Sequence, residues 1–332
     1  IHAKELVELY VNSRSFNNDF SQLSHAEILA ELQIVNDLPQ IYTRIIYSLG
    51  RTYMYEDNII LGKKYFELSK YLGNKLGLFE GYLSELSGIL VIEKEQALNN
   101  IKEGKLDFAK GIILHINKKL DEMRNDDNAY ILNYKPEIAE QETTIPKNQS
   151  YSFFDCGNKI VGNYLTLLRI SKNKNEIREY IEGVNKQLVG DQTLKGLFNI
   201  AEEVPKKKLA DLYNKLGNIM LTLWKLKVQD NIEFEDNVIK SNIAKFLSSN
   251  LSNNLELAEL LFTSAKDISR NSDFTKADSY DGLAQLHQFK LEHAAQILSS
   301  DQKQELQDKI EKYTTKSETI NRQLKRKGNP NL

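Results

Sequence analysis

The stretch Thr43–Gly73, TRIIYSLGRTYMYEDNIILGKKYFELSKYLG, decides the fold. Apolar residues recur in it at helical spacing on either side of a polar turn, which predicts two consecutive helices. Small residues, Gly50 in the first helix and Gly62 in the second, allow two antiparallel helices to approach closely. We expect the space between the helices to be filled by Leu49, Tyr53 and Phe66.

The spacing of these residues resembles that of the tetratricopeptide repeat (TPR). Ile46-x2-Leu49-Gly50-x2-Tyr53 followed by Gly62-x3-Phe66 is similar to the W-x2-L-G-x2-Y and A-x3-F segments of that repeat, whose period is about 34 residues. Weaker matches occur at residues 239–270, which contain Ala258-x3-Phe262, at residues 277–299 and around Ala109. The resemblance implies an all-α fold, a TPR-like α-solenoid of antiparallel helical hairpins in which each hairpin packs on its neighbours.

The pattern divides the chain into four parts. Residues 1–124 and 151–299 are predicted to be helical-repeat segments, and residues 125–150, where helical periodicity is lost, a long loop or insertion. Residues 300–332 are predicted to form a long C-terminal capping helix and a tail. A coiled-coil partner would also suit this helix. Its narrow apolar stripe consists of Leu306, Ile310, Tyr313, Ile320 and Leu324.

A second Leu-Gly pair raises a question of helix pairing. The motif Tyr213-x2-Leu216-Gly217 also looks like the first helix of a hairpin, but counting helices alternately along the chain makes it a second helix. We therefore interpret this motif as a chance match and pair residues 235–250 with residues 254–270. A helix hidden in residues 125–150 would reverse the assignment.

Composition excludes several classes of protein. The chain has 332 residues and a formal net charge of −2, so it lacks the basic excess of nucleic-acid binders, and we expect no nucleic-acid partner. No run of about 20 apolar residues occurs, and no membrane span is expected. A single cysteine, Cys156, excludes an intrachain disulfide and favours a reducing compartment. We expect the cytoplasm, either of the producing cell or of a host into which the protein is delivered.

No constellation of residues predicts catalysis, a metal site or a cofactor. The histidines show no pair at i, i+3 or i, i+4 and no HExxH motif. A free cysteine on an apolar helix face, such as Cys156, usually serves packing. An enzyme with its site in residues 125–150 is a minor hypothesis, because Glu137, Glu140 and Glu142 lie there without a partner group.

The resemblance implies a binding groove on the inner face of the first helices. The groove residues in the strong repeat unit would be Arg44, Tyr47, Arg51 and Tyr55. Those in the degraded unit would be Asp278, Asp281, Gln285 and Gln288. Two arginines and two tyrosines suit an anionic, partly apolar peptide, through bidentate ion pairs and amphipathic rings. A solvated helix face is the alternative interpretation of any one of these residues.

We therefore expect a non-catalytic scaffold that binds a protein or an extended peptide on the concave face of a TPR-like superhelix. The alternative is a ligand- or peptide-gated regulator whose effector domain lies outside this chain, which begins at Ile1 without a methionine. The sequence pattern predicts no particular oligomeric state.

Overall fold

The computed structural model describes residues 39–56, 58–76, 81, 84–125, 145–189, 196–201, 204–269, 274–294 and 297–326. Every regular element in these ranges is a helix and none is a strand, which confirms the predicted all-α class. The chain divides into two compact units, Ile1–Asn148 and Gln149–Leu332, and each is described by itself. The candidate loop carboxylates Glu137, Glu140 and Glu142 lie outside the described residues.

The first unit contains two helical hairpins in its described part. Its helices are α1 (Pro39–Tyr55), α2 (Ile59–Leu76), a π-helical turn (Glu85–Ile89) that continues as α3 (Leu90–Lys102), and α4 (Leu106–Asn125). Helix α1 packs on α2, and α3 packs on α4. Gly104 has a φ of +77°, a left-handed conformation that suits glycine, and it makes the turn between α3 and α4.

The ring of Phe66 in α2 is wedged between two glycines of neighbouring elements. A Cβ atom added at Gly50 in α1 would lie 2.8 Å from the ring, and one added at Gly88 in the π-helical turn would lie 2.4 Å from it. The backbones of α1 and of the π-helical turn therefore lie in direct contact with the Phe66 ring of α2. A Cβ at Gly62 would lie 3.2 Å from the carbonyl oxygen of Gly50, which confirms the predicted close approach of α1 and α2.

Buried hydrogen bonds join the same three elements. The Ser69 hydroxyl donates to the carbonyl oxygen of Thr43 at 3.1 Å, and the Ser84 hydroxyl donates to the Ser69 oxygen at 2.8 Å. These short side chains satisfy one another's polar groups inside the interface, as buried polar atoms require. Because serine side chains are small, these hydrogen bonds leave the helices around Phe66 in close contact.

Seven further helices lie in the described residues between 145 and 326. They are α5 (Ile145–Ile170), α6 (Lys174–Val189), α7 (Lys206–Val228), α8 (Asn237–Phe246), α9 (Asn254–Ile268), α10 (Phe274–Ala294) and α11 (Ser300–Arg326). Helix α5 begins inside the predicted loop 125–150 and crosses the division between the units. Helix α9 packs on both α7 and α10, and α10 also packs on α7 and α11.

A phenylalanine ring also lies between two glycines in the second unit. A Cβ atom at Gly217 in α7 would lie 2.8 Å from the ring of Phe262 in α9, and one at Gly282 in α10 would lie 2.3 Å from the same ring. Gly217 in α7 therefore meets Phe262 in α9 as Gly50 in α1 meets Phe66 in α2, which contradicts the interpretation of the Leu216-Gly217 motif as a chance match. The pairing of residues 235–250 with residues 254–270 is also wrong, because α9 packs mainly on α7 and only slightly on α8.

The error has a physical cause in α8. Alternate counting assumes that every helix belongs to a hairpin, whereas α8 is a short insertion that packs on α6. The buried carboxylate of Asp236, the residue before α8, links α8 to α7 and α9. It accepts hydrogen bonds from Lys227 at 2.6 Å and Asn254 at 2.9 Å, and it pairs with Lys240 at 3.0 Å. Burial alone would raise the pKa of Asp236, but these donors outweigh burial and lower it.

The predicted C-terminal helix is present as α11, which spans 27 residues. Its apolar stripe packs on α10, where Ile320 and Leu324 are buried against Ala277 and Tyr280. Tyr313 stacks on the ring of Tyr280 at a centroid distance of 5.9 Å. Helix α11 thus forms a hairpin with α10, and its apolar stripe packs within the chain.

The variant Gly282→Ala tests the close packing around Phe262. Its methyl group would overlap the ring, and we expect the free energy of unfolding to fall by about 1–3 kcal/mol, as in other overfilled cores. Urea unfolding followed by circular dichroism measures the change. The matched control is Gly111→Ala in α4, whose Cβ would have no neighbour within 4 Å. This control should gain up to about 1 kcal/mol from helix propensity. Equal effects of the two substitutions would contradict the packing described.

Candidate binding groove

Helices α5 and α7 lie side by side in the same direction. Asn158 in α5 donates to the Asp211 carboxylate in α7 at 2.7 Å, and Arg169 donates to the Asn218 side-chain oxygen at 3.0 Å. Lys172, just after α5, pairs with Asp230, just after α7, at 2.6 Å. Because both partners advance towards the C-terminus together, the two helices are parallel.

Helices α7 and α10 are also parallel neighbours. The buried Asn214 in α7 donates to the Thr275 carbonyl oxygen in α10 at 2.7 Å and accepts from the Ser279 hydroxyl at 2.9 Å. Further along, Gln229 contacts His293 at 3.1 Å. Each of the three parallel helices is the first of a pair, with α6, α9 and α11 as second helices. We call the surface shared by α5, α7 and α10 the first-helix groove.

A cleft of about 500 Å³ opens in the first-helix groove near the C-terminal ends of α5 and α7. Its volume falls within the range of about 300–1,000 Å³ that is usual for ligand pockets. Most of its lining is polar and able to donate hydrogen bonds. The lining residues are Arg169, Lys172, Asn218, Leu221, Thr222, Lys225, Leu226, Gln229, Asp230 and Gln285. We call this opening the cationic cleft.

Two cations in the cationic cleft are partly desolvated. Burial lowers the pKa of Lys225, and the nearby charge of Arg169 lowers it further, whereas Glu292 raises it. Partial burial also lowers the pKa of Arg169, although by solvent accessibility this residue is exposed. The Lys225 ammonium lies 4.1 Å from the ring centre of Phe289, a cation–π contact.

A second charged cluster lies nearer the start of the α5–α7 seam. Burial lowers the pKa of Lys159, and the charges of Lys208 and Lys215 lower it further, against the opposing charge of Asp155. Lys208 pairs with Asp155, and Lys215 pairs with Asp211 at 2.7 Å. This cluster holds three lysines and two aspartates, so the basic character of the cationic cleft continues along the seam.

The first unit has a cleft of a different kind, with a volume of about 550 Å³. Its charges balance, because Lys70 pairs with Glu85 at 2.7 Å and Lys119 pairs with Glu93 at 3.1 Å. The remaining charged lining residues are Lys63 and Glu67. A cleft with internally neutralised charges offers no net attraction to a charged ligand.

The residues predicted for the groove lie in different surroundings. Gln285 lines the cationic cleft, and Gln288 instead donates to Glu292 at 2.6 Å. Arg44, Arg51 and Asp278 are exposed, and Asp281 is half-buried. Tyr47 packs against Phe66 with ring centres 5.6 Å apart. The side chain of Tyr55 lies outside the described residues.

The sequence-based prediction missed the cations of the cleft. Arg169 and Lys172 belong to α5 and its end, where no repeat motif directs attention to them. Lys225 lies on α7, which was interpreted as a second helix. Carried to the Leu216-Gly217 motif, the spacing used for the other groove residues selects Asp211, Asn214, Asn218 and Thr222, of which Asn218 and Thr222 line the cationic cleft, but it does not select Lys225.

Comparison with protein-family models, with curated proteins and with solved structures finds no match for this chain. In the ranges that the structure describes, none of the helices has the length and hydropathy needed to cross a bilayer. Over the same ranges, His, Cys, Asp and Glu side chains form no group of three or more suited to a metal ion.

Among the described residues, His287 is a buried titratable group whose pKa is far below its ordinary value. It is 2% exposed between α10 and α11, where its ring stacks on Tyr313 at 5.7 Å. Burial lowers its pKa from 6.5 to about 4. The charges that surround it, Glu259, Lys290, Lys309 and Glu305, act in opposing directions.

The pH dependence of stability tests this environment. Between pH 6.5 and about 4 the unfolded chain binds a proton at His287 that the folded chain excludes, so stability falls as the pH is lowered through this window. We expect His287→Phe, which keeps the stack on Tyr313, to flatten thermal stability against pH in this window. Asp236, whose pKa is lowered from 3.8, loses its contribution only at more acidic pH. An unchanged pH profile in His287→Phe would contradict the assignment.

Proposed function

We propose that this chain is a non-catalytic helical-repeat scaffold of the TPR-like type, which binds an extended segment of a partner protein along the first-helix groove. The observation that carries the proposal is the parallel arrangement of α5, α7 and α10, with the cationic cleft between them. A scaffold of this kind presents first helices to the ligand and uses second helices for packing.

The recurring wedge supports the repeat character. Phe66 and Phe262 each lie against a glycine of their own first helix and a glycine of the following element. In repeat proteins each hairpin buries its apolar side only by stacking on the next, and a second helix that contacts two successive first helices meets this requirement. The same glycine–phenylalanine–glycine contact occurs in both units, although the sequences around Phe66 and Phe262 share few residues.

The shape and lining of the cationic cleft support a peptide ligand. Polar groups line most of it, and the apolar lining is limited to Leu221 and Leu226. Side chains such as Gln285 and Thr222 suit hydrogen bonds to a peptide backbone, and open clefts of this size accept several side chains. The neighbouring Trp224 stacks on Phe289 with ring centres 5.9 Å apart, so its emission should report on an occupied cleft.

A selection experiment tests the proposal. Random peptides of about 12 residues, displayed on phage, are selected on the full chain, because an extended segment of that length spans about 40 Å. Binding of the selected peptides is measured by fluorescence polarisation and by the emission of Trp224, the chain's single tryptophan. We expect Gln285→Phe, which fills the cleft, to weaken binding at least about tenfold, the equivalent of 1.4 kcal/mol.

The control variant is Gln307→Phe on the exposed side of α11. It makes the same substitution away from the first-helix groove and should leave affinity unchanged. The proposal fails when selection yields no peptide, or when Gln285→Phe binds the selected peptides as well as the unaltered chain does.

A further inference from the structure

Two cations in the cationic cleft, Arg169 and Lys225, form no ion pair within the described part of the chain, although Glu292 lies near enough to Lys225 to oppose the lowering of its pKa. The Arg169 guanidinium donates to a neutral amide, the Asn218 side chain, at 3.0 Å. The Lys225 ammonium lies over the ring of Phe289 at 4.1 Å. Neither cation lies within ion-pair distance of a carboxylate in the described residues, whereas the neighbouring Lys172 pairs with Asp230 at 2.6 Å.

This arrangement is unfavourable without a ligand. Burial lowers the pKa of Lys225, and the like charge of Arg169 lowers it further, while Glu292 acts in the opposite direction. An anion between them would remove the repulsion and replace the lost hydration with hydrogen bonds. The side-chain amide of Gln285, on the opposite wall of the cleft, adds a further donor.

The surrounding seam strengthens the attraction for an acidic ligand. Six basic side chains line the α5–α7 seam, and they are opposed by three acidic side chains of the seam and by Glu292 of α10, in a chain whose formal net charge is −2. The basic ones are Lys159, Arg169, Lys172, Lys208, Lys215 and Lys225, and the acidic ones are Asp155, Asp211 and Asp230. This excess of basic side chains is confined to the α5–α7 seam, which suits an acidic segment of limited length.

We propose that Arg169 and Lys225 together bind the side-chain carboxylate of an Asp or Glu residue in the segment that occupies the first-helix groove. The inference rests on the proposed function and specifies the chemistry of its partner. The planar Arg169 guanidinium offers two parallel N–H groups to a carboxylate, and the Lys225 ammonium adds a point charge from the adjacent helix. A nucleic acid fits less well, because affinity for it grows with the number of phosphates neutralised, and among the described residues the cleft holds two cations without an ion pair.

Labelled model peptides test the inference on the full chain. Peptides of about ten residues, Ser-Glu, Ser-Gln and Ser-Lys repeats with the same fluorophore, are titrated by fluorescence polarisation, together with a single-stranded oligonucleotide of equal net charge to the Ser-Glu peptide. We expect the Ser-Glu peptide to bind at least about tenfold more tightly than the Ser-Gln peptide, because a hydrogen bond to a charged group contributes the corresponding free energy. Its affinity should fall with added salt.

Variants separate the two cations from general electrostatics. Arg169→Gln and Lys225→Gln should each weaken Ser-Glu binding by about tenfold. The control, Lys245→Gln on the exposed face of α8, changes the net charge equally but lies outside the cationic cleft, and its affinity should stay within about twofold. Thermal unfolding of all three variants checks that each is folded.

The outcomes distinguish this inference from the proposed function. Equal binding of Ser-Glu and Ser-Gln peptides, or an equal loss in Lys245→Gln and Lys225→Gln, overturns the carboxylate site. If the oligonucleotide binds more tightly than the Ser-Glu peptide, and Arg169→Gln and Lys225→Gln abolish that binding, the carboxylate site is overturned in favour of a nucleic-acid site. Phage-selected peptides that lose affinity in Gln285→Phe but not in Arg169→Gln or Lys225→Gln leave the scaffold function standing and remove the carboxylate site.

Discussion

A phenylalanine ring held between two glycines is the contact on which each unit depends. Phe66 lies against Gly50 and Gly88, and Phe262 lies against Gly217 and Gly282. Because no Cβ separates ring and backbone, the second helix touches two successive elements at once. Close contact of this kind gains dispersion energy over many atom pairs. It also determines which helices become neighbours.

The neighbour relation creates the first-helix groove. When α9 is shared by α7 and α10, those two helices lie next to each other and in the same direction. On the groove side, α7 and α10 meet through the stacked rings of Trp224 and Phe289 and through polar side chains. Polar residues such as Asn214 and Asn218 bridge the helices there, and charged residues gather where the helices end. The cationic cleft is thus a consequence of packing on the opposite side of the same helices.

The sequence predicts the parts of this arrangement that depend on local spacing. Gly50, Gly62 and Phe66 lie within one hairpin, so helical periodicity alone brings them together. Gly88 escapes prediction, because it lies in a π-helical turn that departs from the regular helical period. The pairing of α7 with α9 was mispredicted for a related reason, since the short α8 intervenes in sequence without joining the stack.

The candidate site was less predictable than the fold for a physical reason. Gln285 was found from its position on a repeat-like helix, but a cleft depends on which non-consecutive helices lie together. Arg169 and Lys225 are separated by more than fifty residues of sequence and become neighbours only through the packing of α5 on α7. Local patterns carry no information about such a meeting.

A double-mutant cycle between Gly282 and Phe262 tests the central contact most directly. The free energy of unfolding is measured for the unaltered chain, Gly282→Ala, Phe262→Leu and the double variant. A Leu side chain leaves room for the added methyl group, so the loss caused by Gly282→Ala should be smaller in the Phe262→Leu background by at least about 1 kcal/mol. Additive losses, within about 0.5 kcal/mol, would show that the ring does not press on the glycine. Additivity would remove the contact from which the helix neighbours and the groove follow.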